Sequence, residues 1–158
     1  MLENLYYLPK EIAEYCIDEN AKIEEGSRII LQTSPDGKRH TLIGRAAIEP
    51  GVTIKALAHI EDGVKIETGA IVNFRSTVKK NSYIGKDLEI GSGTTVGADC
   101  KIYGLSIGNF THIGDSTEVN RMSTIGSSSM IAAGMYISGD IGHHTKIRPI
   151  EKKPPYTE

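Results

Sequence analysis

The hydrophobic positions of this chain recur every six residues over most of its length. Between Ile84 and Lys101 the sequence reads IGKDLE, IGSGTT, VGADCK, and each hexad opens with Ile or Val. Steps of six from Ile84 reach further Ile or Val openers from Ile48 to Ile102, and the fourth place after each opener also carries a small or medium side chain. Neither an α-helix nor an ordinary strand has a six-residue period.

This period predicts a parallel β-helix, a triangular prism in which three hexads form one coil. The opener and the fourth residue would point into the prism, and the residues after the opener would form its corners, where we expect Gly to relieve strain at positive φ. Coils would stack at the strand separation of about 4.8 Å. Because a single coil cannot bury its apolar face alone, the stability must come from stacked neighbours.

The hexads from Ile48 to Ile147 resemble the left-handed β-helix of the hexapeptide-repeat acyltransferase superfamily. The left hand is implied by this resemblance, since spacing alone does not set it. The predicted fold class is therefore all-β, a left-handed parallel β-helix of hexapeptide repeats.

A short helix is predicted before the repeats. Pro9 can occupy the first helical position, and Leu8, Ile12 and Cys16 then fall on one apolar face. Residues 1–16 would therefore form a helical cap over the open end of the prism.

Residues 17–150 form the predicted β-helix domain, and residues 151–158, EKKPPYTE, form a C-terminal tail. Within the domain, residues 28–43 place a Pro-Asp-Gly turn between two strand-like arms. This segment is interpreted either as a projecting β-hairpin or as an irregular coil.

Composition narrows the function classes. A net charge of -2 gives no sign of the excess of basic residues that is typical of nucleic-acid-binding proteins. The chain has no apolar run long enough to span a membrane, and its start lacks a basic segment followed by an apolar one, so we expect a cytoplasmic protein without membrane attachment. Cys16 and Cys100 should lie several coils apart, beyond the reach of a disulfide.

The superfamily resemblance implies a reaction. Its members transfer acyl groups from coenzyme A, and a histidine on an outward corner, facing a cleft between subunits, acts as the base. Acyl-coenzyme A would then be a co-substrate, with no covalently bound cofactor, and the acceptor would be a sugar or amino-acid-like molecule. His59 and His112 are the candidate bases; they occupy equivalent hexad places on one prism face, three coils or about 14 Å apart.

One segment resembles a particular branch of the superfamily. VNRMSTIGSS, residues 119–128, is similar to the acetyltransferase domain of the bifunctional N-acetylglucosamine-1-phosphate uridyltransferases, which read Val-Asn-His there. Arg121 replaces the catalytic histidine, and an arginine stays protonated near neutral pH. We therefore assign Arg121 to substrate binding, together with Asn120 and Asn73, which would orient the acceptor.

A second resemblance is to the tetrahydrodipicolinate N-acyltransferases. RAAIEPGVTIKALAHIEDGVKIETGAIVN is similar to their Arg-Ile-Glu-Pro-Gly run, but the hexads that follow diverge. The Ala-Gly-x-Pro-Ala-Lys motif common to many of these transferases is replaced by GHHTKIRPIEKK. His143 in that segment takes the second place after its opener, as the base does in the uridyltransferase motif, and we interpret it as a capping residue.

The same residues bear on two other classes of function. The carbonic anhydrases of this fold bring three His ligands together across an interface, and this chain lacks their spaced histidine pair, so no metal site is predicted. The alternative to an enzyme is a non-catalytic β-helix, either a small-molecule binding trimer or an assembly scaffold. Arg121 and the missing C-terminal motif favour that alternative.

A homotrimer is predicted from corner residues that should point outward. Leu57, Phe74 and Phe110 lie on one corner, and Leu105 and Met122 lie on another. A soluble monomer seldom exposes a continuous apolar strip. Contacts between two different patches on neighbouring copies close into rings.

Overall fold

The computed structural model describes residues 16–149. The predicted helical cap, apart from Cys16, and the predicted C-terminal tail lie outside the described residues.

Short parallel strands make up nearly all of the regular structure in this range. In chain order they are β1 (Lys22–Ile23), β2 (Arg28–Ile29), β3 (Leu42–Ile43), β4 (Ala47–Ile48), β5 (Thr53–Ile54), β6 (His59–Ile60), β7 (Lys65–Ile66), β8 (Ile71–Val72), β9 (Thr77–Val78), β10 (Tyr83–Ile84), β11 (Glu89–Ile90), β12 (Thr95–Val96), β13 (Lys101–Ile102), β14 (Ser106–Ile107), β15 (His112–Ile113), β16 (Glu118–Val119), β17 (Thr124–Ile125), β18 (Met130–Ile131), β19 (Tyr136–Ile137) and β20 (Lys146–Ile147).

The strands form three flat sheets, one on each side of a prism. Face 1 contains β1, β4, β7, β10, β13, β16 and β19, face 2 contains β2, β5, β8, β11, β14 and β17, and face 3 contains β3, β6, β9, β12, β15, β18 and β20. Each strand pairs with strands of the neighbouring coils, so successive coils stack. This topology confirms the predicted all-β parallel β-helix of hexapeptide repeats, with three faces as in the left-handed form.

The core runs along the prism axis. The opener column is buried, with Ile54, Ile66 and Ile90 at 0% exposure. Burying each such side chain stabilises the fold by about 1.5–3 kcal/mol. The fourth-place column is also buried, and where it carries a hydroxyl the oxygen finds a partner: Ser76 Oγ donates to the carbonyl of Gly91 at 2.6 Å, which removes the cost of an unpaired polar group.

The corner between β13 and β14 is a residue shorter than the usual six-residue step, and this does not disturb the stacking. The openers Ile102 and Ile107 are five residues apart, yet Ile107 still pairs with Ile90 below it and with Ile125 above it. Gly104 lies in this shortened corner. Register is retained because the apolar column fixes which residue points inward.

Corner glycines serve two different structural needs, depending on their place in the corner. Positive φ occurs two residues later in the corner, for example at Gly93 and Phe110, and Gly91 itself is not in that region. A Cβ on Gly91 would lie 2.5 Å from the main-chain nitrogen of Asn109 in the next coil. Positive φ is therefore confirmed for corner glycines three places after the opener, such as Gly93, whereas the glycines directly after the openers are needed for close approach of stacked backbones.

Residues 28–43 contain a hairpin. Thr33 and His40 form an antiparallel bridge, and the amide of Ser34 donates to the carbonyl of Arg39 at 2.7 Å. His40 is half-buried, and its Nδ1 lies 2.8 Å from Thr33 Oγ1.

The hairpin folds down over the corner between face 2 and face 3. Arg39 donates from Nε to the carbonyl of Leu57 at 3.0 Å and from Nη2 to the carbonyl of Arg75 at 3.1 Å. Leu57 is consequently 2% exposed. Its predicted outward exposure was wrong, because the hairpin covers it.

Within residues 16–149, no helix has the length and apolar character needed to cross a membrane.

Candidate functional site

One groove runs along the lower part of face 3, and we call it the face-3 groove. It has a volume of about 450 Å³. The side chains that shape it are Leu42, His59, Glu61, Asp62 and Lys80. His59 sits on β6 beside Leu42 of β3, so the imidazole lies at an apolar strand edge with charged residues at the corner beyond it.

His59 is oriented by the hairpin. Its Nε2 lies 2.9 Å from the carbonyl oxygen of His40. A carbonyl can only accept, so Nε2 carries the proton and Nδ1 of the neutral ring carries the lone pair. Burial lowers the pKa of His59, and the positive charge of Arg39 lowers it further. His59 is therefore a half-buried, unprotonated imidazole near neutral pH, as a general base requires.

The charges around His59 are mostly engaged. Arg45 forms an ion pair with Asp62 at 2.7 Å, and this hydrogen-bonded contact lowers the pKa of the carboxyl. Glu61 Oε2 accepts from the main-chain amide of Lys80 at 2.9 Å. In the described part of the chain, the ammonium of Lys80 joins none of the ion pairs. It can therefore meet an anionic group at the corner of the groove.

His112 lies on the same face but in a different environment. The register runs from His59 through Thr77 and Thr95 to His112, so three strand spacings of about 4.8 Å separate the two histidines. The His112 side chain is exposed, and its ring has no hydrogen-bond partner among residues 16–149. As predicted from the sequence, the two histidines do not share one site within a subunit.

The two asparagines hold corners of the prism. Asn73 is buried, and its Nδ2 donates to Glu89 Oε1 and to the carbonyl of Ile90, both at 2.9 Å. Asn120 Oδ1 accepts from the main-chain amide of Arg121 at 2.6 Å. Neither asparagine lines any of the three grooves described in this section.

Arg121 lies in a second groove, of about 350 Å³, on face 1 and the corner that follows it; we call it the tyrosine groove. Its guanidinium carbon is 6.0 Å from the ring centre of Tyr103, whose ring centre is 5.1 Å from that of Tyr83. Burial and a hydrogen bond with Glu67 raise the pKa of Tyr83 to about 12. The phenol is therefore neutral throughout the physiological pH range.

A third groove, of about 540 Å³, runs along the upper part of face 2. His143 lines it, and its Nδ1 accepts from the main-chain amide of Ser127 at 2.8 Å. Ser127 Oγ accepts in the same way from Asn109, and Asn109 Oδ1 accepts from Ser92. His143 thus continues a ladder of corner side chains that cap the coil below, which is the capping role expected from the sequence.

The sequence analysis missed Arg39 and the carbonyl of His40. Both act on His59 and Leu57 across about twenty residues of chain, and the hexad pattern carries no information about such contacts. The Pro35-Asp36-Gly37 turn was the available signal, because such a turn marks a hairpin between β2 and β3.

Across residues 16–149, no three His, Cys, Asp or Glu side chains are grouped closely enough to hold a metal ion.

Comparison with known proteins finds relatives along the solenoid. The chain is 30% identical to the bifunctional protein GlmU of Baumannia cicadellinicola subsp. Homalodisca coagulata over 147 residues, covering 80% of this chain and 29% of that protein. It is 26% identical to the bifunctional protein GlmU of Corynebacterium glutamicum strain R, covering 81% of this chain and 28% of that protein. The chain spans less than a third of the length of these relatives. No family model matches it.

Solved structures of similar shape include two bacterial proteins. PerB of Caulobacter crescentus, solved with CoA and GDP-perosamine, has a TM-score of 0.44 and 21% identity over 80% of this chain and 50% of PerB. LpxA of Acinetobacter baumannii has a TM-score of 0.49 and 17% identity over 80% of this chain and 68% of LpxA.

Proposed function

The chain belongs to the hexapeptide-repeat acyltransferase superfamily, and from this premise we propose that it is an acyl-coenzyme A-dependent acyltransferase acting on a sugar or amino-acid-like acceptor. The observation that carries the proposal is the relationship to the GlmU proteins over 80% of the chain. The geometry of His59 supports it, because a transferase of this type needs a neutral, oriented imidazole at the surface.

His59 is the base in this proposal. Nδ1 takes the proton from the acceptor hydroxyl or amine while the acceptor oxygen or nitrogen attacks the thioester carbonyl of acyl-coenzyme A. A C–O or C–N bond forms, the C–S bond breaks, and the leaving thiolate receives the proton from His59. The carbonyl of His40 holds the ring throughout, since it accepts from Nε2–H in both the neutral and the protonated ring.

Lys80 has a binding role in this proposal. Coenzyme A carries phosphate groups. The ammonium of Lys80 lies at the corner of the face-3 groove and can bind one of them. Asn73, Asn120 and Arg121 would act on the acceptor only through a neighbouring copy, since none of them lines the groove of His59.

A homotrimer completes the proposal. Phe110 is 71% exposed and Phe74 is 41% exposed on the corner between face 2 and face 3, and Leu105 and Met122 are 55% and 76% exposed on the corner between face 1 and face 2. Two different apolar patches on one copy favour a closed ring of copies. We also place the protein in the cytoplasm, where acyl-coenzyme A thioesters are available.

A non-catalytic binding trimer or scaffold is the second candidate. Arg121 in the place of a histidine favours it. So does the separation of His59 and Arg121, which line different grooves of the same chain.

A ligand screen followed by turnover assays separates the two candidates. A specific acyl donor should raise the melting temperature of the full chain by mass action when acetyl-coenzyme A, succinyl-coenzyme A and nucleotides are tested in turn. With a donor found, His59→Ala should lower turnover by about 10²- to 10⁴-fold, while His112→Ala, its matched control on the same face, should retain it. No shift with any donor at about millimolar concentration would favour the non-catalytic candidate.

A further inference from the structure

The tyrosine groove is built by three successive coils. Tyr83 belongs to β10, Tyr103 follows β13, and Arg121 follows β16. Stacking of the coils therefore brings two aromatic rings and a guanidinium to one concave surface, although they are about twenty residues apart in sequence. Of these three residues, only Arg121 has a part in the acyl transfer proposed above, where it would reach an acceptor bound to a neighbouring copy.

The groove has more positively charged than negatively charged side chains. Arg121 and Lys86 line it together with one carboxylate, that of Glu67. Glu67 is already paired with Lys65, whose Nζ lies 3.7 Å from Glu67 Oε1. Among the described residues, neither Arg121 nor Lys86 takes part in an ion pair.

The same groove has apolar walls next to its cations. The guanidinium of Arg121 lies over the ring of Tyr103, an arrangement in which the planar, weakly hydrated cation keeps its edge donors available. Leu105 stands beside them and is 55% exposed. A fixed cation bordered by rings and an aliphatic side chain fits a ligand that is both anionic and flat.

We propose that the tyrosine groove binds a small aromatic anion, with the anionic group on Arg121 and Lys86 and the ring against Tyr103. A phosphate monoester and a carboxylate both have oxygens that match the guanidinium edge. The site goes beyond acyl transfer, because its occupation requires no donor, no acceptor and no turnover.

The test is a titration of the full chain followed by NMR at the Arg121 Nε–H and Tyr103 ring signals. Phenyl phosphate and benzoate are the two probes, and whichever binds more tightly identifies the preferred anion. Phenol and inorganic phosphate each supply half of the ligand. Each half should bind at least about tenfold more weakly than the better probe, since each lacks one set of contacts.

Two arginine variants sharpen the test. Arg121→Gln removes the charge from an exposed side chain and should weaken the better probe by about tenfold or more. Arg75→Gln is the matched control, because Arg75 also lies over an aromatic ring, that of Phe74 at 5.4 Å, but lines none of the three grooves. Melting temperatures of both variants check that they remain folded.

The outcomes are distinct. Saturable binding that is lost in Arg121→Gln and retained in Arg75→Gln supports the site. The proposal is overturned if neither probe binds, if inorganic phosphate binds as tightly as phenyl phosphate, or if both arginine variants behave alike. Because no acyl donor is present, none of these results depends on the proposed transferase activity.

Discussion

The imidazole of His59 is tied to the main chain of His40, with Nε2 donating to the carbonyl oxygen at 2.9 Å. This contact joins the hairpin to face 3 and leaves Nδ1 as the only ring nitrogen with a free lone pair. It also buries part of the ring, which lowers the pKa of His59. The hairpin therefore sets both the direction and the protonation state of the proposed base.

The lowered pKa of His59 predicts a pH-dependent stability. Between the pKa of folded His59 and the unfolded value of about 6.5, the unfolded chain binds more protons than the folded chain. The free energy of unfolding should therefore fall as the pH drops through that window, and the contribution of His59 should be complete above it. Urea unfolding across about pH 5 to 8 measures the slope.

Replacing His59 measures how much it contributes to the pH dependence of the free energy of unfolding. His59→Gln should reduce the dependence of the free energy of unfolding on pH, because the titrating group is gone. His112→Gln is the control, since His112 is exposed on the same face. A slope that stays unchanged in His59→Gln would show that burial of this ring does not govern its protonation.

Phe74 and Phe110 predict a second measurable property, the mass of the assembly. Phe110 lies against Gly93 of the coil below, yet most of its ring stays exposed. Burying a Phe side chain stabilises an interface by about 1.5–3 kcal/mol, so changing both to Ser should lower the mass seen by light scattering. Tyr136→Ser is the control, because Tyr136 is 61% exposed on face 1, away from this corner. A monomeric mass for the unchanged protein at micromolar concentration contradicts the trimer.

The periodic part of the fold was predictable because the same places of each hexad point into the prism. Ile48 and Ile102 are buried for the same reason, and the columns they belong to follow from counting in sixes. The hairpin was not predictable in this way. Leu57 occupies an outward corner by counting, and only the hydrogen bond from Arg39, eighteen residues earlier, shows that it is covered.

The sequence named His59 and His112 as candidate bases but did not predict the residues that surround them. His59 and His112 are equivalent in the hexad pattern, so the sequence cannot rank them. Their environments differ because His59 lies under the hairpin and His112 lies three coils above it. Arg121 was identified from its motif, whereas its contact with Tyr103 depends on stacking of the coils.

The apolar column predicts a large cost for a cavity in the middle of the prism. Ile90 is 0% exposed and lies between Val72 and Ile107 of the neighbouring coils. Ile90→Ala should lower the free energy of unfolding by about 2–5 kcal/mol, because the lost burial is followed by a void that stacked coils cannot close. Ile30→Ala makes the same change at a residue that is 40% exposed, and it should cost much less. Equal losses in urea unfolding would mean that the column is not the main source of stability.

Gly91 and Gly142 lie in the same corner column, each directly after an opener. Replacing each by Ala is expected to affect the free energy of unfolding differently. A Cβ on Gly91 would press on the main chain of Gly108 and Asn109 in the next coil, so Gly91→Ala should lower the free energy of unfolding by about 1–3 kcal/mol. Among residues 16–149, a Cβ on Gly142 would meet only Thr145 Oγ1, at 3.8 Å, and the φ of Gly142 is not positive. Gly142→Ala should therefore leave stability unchanged or raise it by about 0.4–1 kcal/mol, since alanine restricts the unfolded chain. If urea unfolding shows that both variants lose stability equally, close approach of the stacked backbones is not what requires glycine in this column.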